Sequence, residues 1–450
     1  MSIINRTALK NSFKLAWPIS LQNTLVTLLS MIDVMMVSHL GNASVAAVGF
    51  GNRVQFVVLV IVSGLAWGVG ILSAQNHGAG NTSRIRSTIL LGLILSTLAL
   101  LPLVIGNFFF ADSLMALGTT DQDVIDIGEM YLWITMPSLL FVGGIMVFEN
   151  ALRSISQVKL PMVISTFAIV INIVLNYWLI YGGLGIEPLG VTGAAIATLI
   201  ARGCHLLLIF MVLSIARHKL KPSRNDVKDL RIVKPWFDMI KLVVPLMASF
   251  GVWSIGSFVY QLIYGRLGTQ ELAVISLLVP IEGMFISLFF GFASACSIMV
   301  GQNLGAEKFD QAISIAKSFV IMAPLVAIVL GVLLLLAEPI IFMPFSDMPA
   351  STLALASDVF LIIALGAWIK ISNMTMALGI LRAGGETKAC LYIDTFGMWM
   401  VSIPLTLMAA FYFDLPLFWV ALTAYSEEVS KFGLFVWRIS KQRWVRKIVN

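Results

Sequence analysis

Long apolar stretches separated by short polar segments recur along the whole chain. Each has about 20 residues or more, which is the length that crosses a bilayer as an α-helix. They leave no interval that would hold a soluble domain of ordinary size. The pattern predicts twelve membrane-spanning helices, called spans 1 to 12, near residues 12–38, 44–75, 86–110, 125–150, 159–181, 190–216, 236–264, 272–300, 311–337, 352–379, 388–412 and 416–438.

The overall composition is that of a membrane protein. Of 450 residues, 59% are hydrophobic and only 12% are charged, and the mean hydropathy is +0.95, whereas soluble domains carry about 25% charged residues. Cys204, Cys296 and Cys390 are odd in number and lack metal-ligand spacing, so they indicate neither a disulfide framework nor a zinc site. The expected fold class is an all-α membrane protein.

Basic residues concentrate on alternate loops. The chain has 29 Lys and Arg against 23 Asp and Glu, an excess that in a soluble protein would suggest nucleic-acid binding. Most of it lies in the segment 217–234, in the tail 438–447 and in loops that follow even-numbered spans, whereas the opposite loops contain essentially only Arg266. By the positive-inside rule, both termini and the even-numbered loops are expected in the cytoplasm.

The chain matches itself at an offset of 227 residues. This offset aligns Pro18 with Pro245, "VSHLGNASVAAV" (37–48) with "YGRLGTQELAVI" (264–275), and "AQNHGAG" (74–80) with "GQNLGAE" (301–307). The repeat predicts two related six-span lobes, an N-lobe over residues 1–216 and a C-lobe over 236–450, joined by a cytoplasmic linker over 217–235.

Because six is an even number, both lobes enter the membrane from the same side. Their pseudo-two-fold axis is therefore expected along the membrane normal, as in parallel transporter repeats. Two bundles of like orientation can enclose a central cavity that opens alternately to either side, which favours a transporter. A duplication retained for packing alone is the open alternative.

Asp33 interrupts the apolar run "LLSMIDVMMV" of span 1. Asn23, Thr27 and Ser30 precede it at steps of three or four residues, so one face of this helix is a polar stripe that ends at the carboxylate. The aligned positions of span 7, which end at Tyr260, carry no acid. An ionisable switch on this stripe therefore belongs to the first half only.

Spans 5 and 6 supply further polar side chains. Asn172 and Asn176 lie four residues apart in "NIVLNYWLIYG", with Ser165 seven residues earlier on the same face, and Thr198 lies in span 6. Amide, hydroxyl and carboxylate oxygens suit a small alkali cation, and equally well they stabilise a protonated or ionised Asp. Interhelical hydrogen bonds worth about 1 kcal/mol each are the plain alternative.

The remaining embedded charges have less specific interpretations. Glu149 and Arg153 are expected to form an i,i+4 pair at the cytoplasmic surface, and Glu427 with Lys431 a second such pair. Glu282 is either a cavity-facing acid or a paired one. Neither Lys370 of span 10 nor Arg202 of span 6 has a partner that the sequence identifies.

Catalytic chemistry finds little support. His205 is the one His inside a span, and no Cys, Ser or acid stands at a spacing that implies a triad or a metal site. No G-x-x-x-x-G-K-[ST] loop occurs, so ATP is not expected to be the energy source. We expect a transporter without a cofactor, and not an enzyme.

The chain resembles the multidrug and toxic compound extrusion (MATE) family of secondary transporters, in particular its bacterial NorM-like and DinF-like members. The resemblance covers nearly the whole chain and rests on "AWPIS" with "MIDVMMVSHLG" in span 1, the repeated "QNxGA" (75–79 and 302–306), the paired "LRSISQVK" (152–159) and "LRAGGETK" (381–388), and "NIVLNYWLIYG" in span 5.

The resemblance implies exchange of external H⁺ or Na⁺ for organic cations, with the ion held by Asp33, Asn172, Asn176 and Thr198. It also implies a bend at Pro18, because proline removes a helical hydrogen bond. Family members often carry acids on spans 7 and 10, but here span 7 has none and span 10 has a lysine instead. This departure favours proton coupling through Asp33.

The expected protein is thus a monomeric multidrug antiporter of the bacterial inner membrane that exports amphiphilic organic cations. Protonation of Asp33 is expected to bend span 1 and release the drug. Candidate cavity residues are Met31, Met35, Glu282 and Tyr260. One alternative is a lipid-linked oligosaccharide flippase of the same superfamily. A second is a major facilitator transporter, but the acidic-basic signature of that family is missing from the loop "QNHGAGNTSRIR". The third is an intramembrane enzyme acting on lipid.

Overall fold

The computed structural model describes residues 6–183, 185–345 and 348–449, and in them the chain is helical from end to end. The first half contains α1 (Arg6–Ser38), α2 (Asn42–Gly78), α3 (Thr82–Ala116), α4 (Gln122–Thr135), α5 (Ser138–Ser154), α6 (Lys159–Tyr181) and α7 (Gly190–Ile215), followed by the short linker helix α8 (Arg224–Asp229).

The second half follows the same plan with more interruptions. It contains α9 (Val233–Leu267), α10 (Thr269–Gly305), α11 (Phe309–Leu336), α12 (Glu338–Phe342), α13 (Ala350–Met374), α14 (Thr387–Thr395), α15 (Ile403–Leu407), α16 (Leu417–Ala424) and α17 (Ser426–Ser440). Three segments of π-helix interrupt this half. The first, Thr375–Leu381, extends α13, the second, Phe396–Ser402, joins α14 to α15, and the third, Met408–Tyr412, continues α15.

Hydropathy and length identify most of the predicted spans. Within the described residues ten helices are long and apolar enough to cross a membrane, and the bent pair α4 and α5 makes an eleventh. The predicted span 12 is divided between α16 and α17, and α17 carries Glu427, Glu428 and Lys431, which lower its hydropathy. Span 4 bends by 46° at Pro137, because proline cannot donate the N–H that would continue the helix.

Packing divides the chain into two units, Leu21–Met247 and Met1–Ser20 with Ala248–Asn450. They are called the N-unit and the C-unit. Helix α1 belongs to the C-unit up to Ser20 and to the N-unit from Leu21, and α9 changes unit after Met247. The repeat assigns the beginning of α1 to the N-lobe and the beginning of α9 to the C-lobe, whereas packing assigns them the other way round. The lobe boundaries stay a prediction.

Two glycines related by the repeat make room for these helix beginnings. In the N-unit, a Cβ at Gly64 of α2 would lie 2.7 Å from the Met247 backbone nitrogen. In the C-unit, a Cβ at Gly291 of α10 would lie 2.6 Å from the Ala16 carbonyl oxygen and 2.7 Å from the Ser20 nitrogen. Because backbone cannot move aside as a flexible side chain can, only glycine permits these approaches.

We expect Gly291→Ala to destabilise the protein, because the added methyl overpacks the contact with α1 at a cost of about 1–3 kcal/mol. The measurement is the midpoint of thermal unfolding in detergent. Gly283→Ala on the same helix is the control, since nothing lies within 4 Å of a Cβ there. Equal midpoints for the two variants would contradict the close approach.

The linker is attached to the N-unit by one buried carboxylate. Asp226, 1% exposed, accepts hydrogen bonds from Arg86 Nε at 2.8 Å, from Ser83 Oγ at 3.2 Å, and from the backbone N–H and hydroxyl of Ser223 at 2.7 Å. Burial raises the pKa of this carboxyl, but the hydrogen bonds from Arg86 and Ser223 outweigh burial and hold the pKa below its ordinary value.

A carboxyl whose pKa is lowered in the folded protein stabilises it above the unfolded pKa, about 4 for Asp, and this contribution is lost as the pH falls further. We therefore expect linker amides to be protected from hydrogen–deuterium exchange at neutral pH and to lose protection below about pH 4. Asp226→Asn should lose it already at neutral pH, whereas the exposed Asp238→Asn should not. Unchanged exchange in Asp226→Asn would contradict this attachment.

Candidate functional site

The side-chain amide of Asn176 links α6 to α1 inside the N-unit. Asn176 Nδ2 donates to Asp33 Oδ1 at 2.6 Å and to Asn172 Oδ1 at 3.1 Å. Asn172 and Asn176 are 4% and 1% exposed, and Asp33 is half-buried. The carboxylate of the polar stripe on α1 therefore meets the asparagine pair of α6 directly, and these three side chains are here called the Asp33 site.

The Asp33 site has an unused acceptor. In the part of the chain that the structure describes, the buried Asn176 Oδ1 has no hydrogen-bond partner. A buried polar atom without a partner costs free energy, and an amide oxygen can accept from an O–H group or coordinate a hard cation. The site can therefore accommodate a proton or a cation beside the carboxylate.

Two residues predicted for the same site form hydrogen bonds within their own helices. Thr198 donates its hydroxyl to the Ala194 carbonyl at 3.0 Å, and Ser165 donates to the Met162 carbonyl at 3.1 Å. The structure thus brings Asp33 together with the asparagines, while Thr198 remains engaged with its own backbone.

Arg202 is a charged neighbour of the site whose role the sequence did not suggest. It lies four residues after Thr198, on the same face of α7, and its Nη1 donates to Ser138 Oγ at 2.8 Å and to Gln55 Oε1 at 3.4 Å. Its positive charge is within electrostatic reach of the Asp33 carboxylate and the Tyr131 hydroxyl. The positive charge of Arg202 therefore acts on the half-buried Asp33 carboxylate, although the two groups do not form a direct ion pair.

Neutral groups hold Arg202 and Tyr131 in place. Gln55 Nε2 donates to Thr135 Oγ1 at 2.7 Å, and Tyr131 Oη donates to Asn52 Oδ1 at 2.9 Å. Asn52 and Gln55 lie three residues apart on α2, and Tyr131 and Thr135 lie four apart on α4, as Thr198 and Arg202 do on α7. This helical spacing was the available indication of polar faces that meet.

A second polar group, the N-terminal charge cluster, consists of Gln22, Glu149, Arg153 and His205. Gln22 Nε2 donates to Glu149 Oε1 at 2.8 Å, and Arg153 Nη2 donates to Gln22 Oε1 at 2.7 Å. Arg153 and His205 approach the Glu149 carboxylate at 3.3 and 3.4 Å. Glu149 and Arg153 are each 8% exposed, so the expectation of a surface pair was wrong, because α1 and α7 cover both residues.

The C-terminal charge cluster repeats this arrangement in the C-unit with Ser249, Arg382, Asp394, Glu427 and Lys431. Arg382 donates to Ser249 Oγ at 2.7 Å and to Asp394 Oδ2 at 3.0 Å, and Ser249 donates to Asp394 at 2.6 Å. Lys431 lies 3.6 Å from Asp394 Oδ1 and pairs with Glu427 as predicted. The repeat aligns Gln22 with Ser249 at the offset of 227 residues and Arg153 with Arg382 at an offset of 229, whereas the acids come from different positions.

The candidate cavity residues have varied surroundings. Glu282 accepts from Lys370 Nζ at 2.6 Å, so it is a paired acid. Tyr260 Oη donates to Ser402 Oγ at 2.6 Å and to Glu427 Oε2 at 3.1 Å. Met31 and Met35 of α1 are 44% and 67% exposed, and their roles stay predictions.

A family model described as MatE matches the chain twice, over residues 18–178 and 245–408. Together these regions cover well over half of the chain. The chain belongs to the MatE family. The two matches begin at Pro18 and Pro245, the residues that the repeat aligns, and the MatE assignment confirms the resemblance read from the sequence.

Curated relatives of this MatE protein match over nearly its full length. The probable multidrug resistance protein NorM of Photorhabdus laumondii is 25% identical over 90% of this chain and 88% of its own. The NorM proteins of Thermotoga maritima and Bradyrhizobium diazoefficiens are 24% and 28% identical, over 92% and 89% of this chain and 89% and 86% of their own. All three are named as probable multidrug resistance proteins.

Solved MATE transporters have the same fold. An outward-facing multidrug resistance transporter of the MOP superfamily gives a TM-score of 0.85 at 21% identity and 96% coverage of both chains. A eukaryotic MATE transporter gives 0.86 at 16% identity, covering 98% of this chain and 97% of its own. A MOP superfamily transporter of Pyrococcus furiosus gives 0.84 at 20%, covering 97% and 96%. The likeness confirms the predicted all-α membrane fold of twelve spans in two lobes.

A double-mutant cycle tests the electrostatic relation between Asp33 and Arg202. We expect Asp33→Asn and Arg202→Gln together to destabilise less than the sum of the single variants, because removing either charge leaves the other uncompensated. A coupling of about 0.5–3 kcal/mol is expected for interacting residues. The measurement is unfolding of the four proteins in the same detergent.

The control cycle combines Asp33→Asn with Arg153→Gln, whose charge is balanced by Glu149 instead. This pair should be additive within about 0.5 kcal/mol. Additive behaviour of the Arg202 cycle as well would show that its charge does not act on Asp33.

Proposed function

We propose that this MatE protein is a secondary active antiporter that exports amphiphilic organic cations in exchange for protons. The observation that carries the proposal is the hydrogen bond from Asn176 to Asp33, which places the one acid of the α1 stripe against a buried amide with a free oxygen. Relatives of near-complete coverage are named as multidrug resistance proteins, which supports the substrate class.

One amide can serve both protonation states of Asp33. The ionised carboxylate accepts from Asn176 Nδ2, as in the structure. A protonated carboxyl carries an O–H donor, for which the free Asn176 Oδ1 is an acceptor if the amide turns over. Proton binding would then replace one contact between α1 and α6 by another, and the charge that attracts an organic cation would disappear.

Proton coupling requires fewer ligands than sodium coupling. A proton needs one acceptor, whereas an alkali cation needs a shell of several oxygens. Asn172 Oδ1 already accepts from Asn176, and Thr198 donates to its own backbone. Each of these oxygens keeps a lone pair that could coordinate a cation, so Na⁺ stays the alternative. H⁺ is the favoured coupling ion because it needs only the free Asn176 Oδ1.

Helix α1 is the element that would respond. Pro18 lies inside it, two residues before the helix passes from the C-unit to the N-unit. The missing hydrogen bond at proline lowers the cost of bending there. We propose that protonation of Asp33 rearranges the contact with α6, bends α1 near Pro18 and displaces the drug.

The proposal includes a location and a mode of recognition. We propose a monomer in the inner membrane, and the distribution of Lys and Arg predicts that both termini lie in the cytoplasm. Met31 and Met35 would supply adaptable apolar contacts to the substrate. A secondary role for Glu282 and Tyr260 in the C-unit depends on release of their present partners, Lys370, Ser402 and Glu427.

The flippase alternative is less well supported by the charges. A lipid-linked oligosaccharide carries phosphate, for which free cationic side chains would be needed. Lys370, Arg382 and Lys431 are each paired with an acid. Their charges are therefore largely neutralised within the C-unit.

The test is drug efflux from proteoliposomes with an imposed pH gradient or, separately, a sodium gradient. We expect the pH gradient alone to drive efflux, and Asp33→Asn to reduce it to the level of empty liposomes, because the amide cannot take up a proton. The exposed Asp112→Asn is the matched control and should transport as the wild type does.

Normal pH-driven efflux by Asp33→Asn would refute this mechanism. Efflux driven only by sodium would make the Asp33 site a cation site. Absence of gradient-driven drug transport, combined with movement of a lipid-linked oligosaccharide, would favour the flippase.

A further inference from the structure

The two charge clusters differ in their balance of acids and bases. In the C-terminal charge cluster, Arg382 and Lys431 face two acids, Asp394 and Glu427. In the N-terminal charge cluster, as far as the described residues show, Arg153 and His205 face Glu149 alone. The C-terminal charge cluster is neutral with its two bases and two acids all charged, whereas the N-terminal charge cluster is neutral only while His205 is uncharged.

His205 lies between the Asp33 site and the side of the membrane on which α7 ends, here called the linker side. Thr198, Arg202 and His205 follow one another at steps of four and three residues, so they form one stripe on α7 that runs towards its end. On α1, Gln22 precedes Asp33 by eleven residues, or about 16 Å of helix, in the same direction.

The stripe leads from the Asp33 site to a titratable group. Of the side chains on it, only His changes its charge between pH 5 and 8 in its ordinary state. His205 Nε2 is buried without a hydrogen-bond partner in the described part of the chain, although it faces Glu149 Oε1 at 3.4 Å. A proton on this nitrogen would be stabilised by the Glu149 carboxylate.

We propose that His205, with Glu149, is a second proton-handling position of the N-unit, which receives the proton that Asp33 releases and passes it to the linker side. The inference rests on the proposed function, since it requires protons to be the coupling ion. It assigns a transport role to a buried pair that would otherwise serve only to hold α5 and α7 together.

Charged groups near His205 come from several helices. Glu149 of α5 lies 3.4 Å from its Nε2, Arg153 of α5 pairs with the same carboxylate, and Arg202 lies three residues earlier on α7. Helix α4 brings Tyr131 towards Arg202, α6 carries its one charged residue, Lys159, at its first position, and α1 contributes the neutral Gln22. A proton on His205 would therefore meet one carboxylate and the guanidinium group that this carboxylate already pairs with.

The proton balance closes over one cycle. The proton leaves the Asp33 carboxyl, which becomes a carboxylate again, passes through water over the roughly 16 Å of helix between the two positions, and binds the His205 imidazole, which changes the N-terminal charge cluster from neutral to singly positive. Release to water on the linker side restores neutrality. Neither Glu149 nor Arg153 needs to change its charge.

The experiment is pH-driven drug transport in proteoliposomes of known orientation, with the linker-side pH varied from 5 to 8 and the pH difference across the membrane held constant, so that the driving force does not change. For the wild type, we expect the rate to fall as the linker side is acidified, by up to about tenfold per pH unit, the limit for one proton. His205→Gln cannot hold this proton, so it should transport slowly and lose the dependence on linker-side pH. His205→Lys, which copies the base of the C-terminal charge cluster, should lose it as well.

The matched control is His218→Gln. His218 is a linker residue on the same side, hydrogen-bonded to Gln157 at 2.7 Å, and its removal should preserve the wild-type dependence. Binding of the drug to purified His205→Gln checks that the variant is folded. His205→Asn gives the same readout if the glutamine variant fails to reach the membrane.

The outcomes separate the two proposals. If the wild type is proton-driven but His205→Gln keeps the full dependence on linker-side pH, His205 is structural and the inference is wrong, while the antiporter proposal stands. If only a sodium gradient drives transport in the wild type, proton coupling is wrong, and the role of His205 is wrong with it.

Discussion

The cost of placing charge in hydrocarbon governs this structure, because an unpaired charge within the membrane costs several kcal/mol. Three acid–base pairs among the described residues reduce this cost: Glu149 with Arg153, Asp394 with Arg382, and Glu282 with Lys370. The first pair lies within α5, whereas Glu282 of α10 and Lys370 of α13 join two helices and so fix which of their faces meet. Because breaking such a pair is far more costly than keeping it, these contacts define a rigid framework within each unit.

Asp33 departs from this pattern. Its hydrogen-bond donor is a neutral amide, and the fixed cation Arg202 acts on it from a distance while bonding to Ser138 and Gln55. A carboxylate held in this way can lose its charge without stranding a directly paired base. The structure is thus rigid where acids and bases are paired, and it can change its charge at Asp33. An ion-driven conformational change requires both properties.

Periodicity and hydropathy were sufficient for the spans up to the eleventh and for the Asn172 and Asn176 face, because these features are local in sequence. They were insufficient for Glu149, which pairs with Arg153 as predicted but is covered by Gln22 and His205 from helices more than fifty residues away. Contacts over such separations have no local signature. Thr198 lies on a predicted polar face, but its hydroxyl donates to the Ala194 carbonyl on the preceding turn of its own helix. A helical Thr can always form this bond, so its position in the sequence does not show that it contacts another helix.

The exchanged beginnings of α1 and α9 constrain how the chain is made. Residues up to Ser20 are synthesised first, yet they pack in the C-unit, where the Ser20 hydroxyl donates to the carbonyl of Leu288 and Gly291 receives the helix backbone. The N-unit likewise waits for Met247, which packs on Gly64. The N-unit is therefore complete only after Met247 has been made, and the C-unit combines the first residues with the last. Halves expressed separately as residues 1–216 and 236–450 would each lack a helix segment that its unit needs.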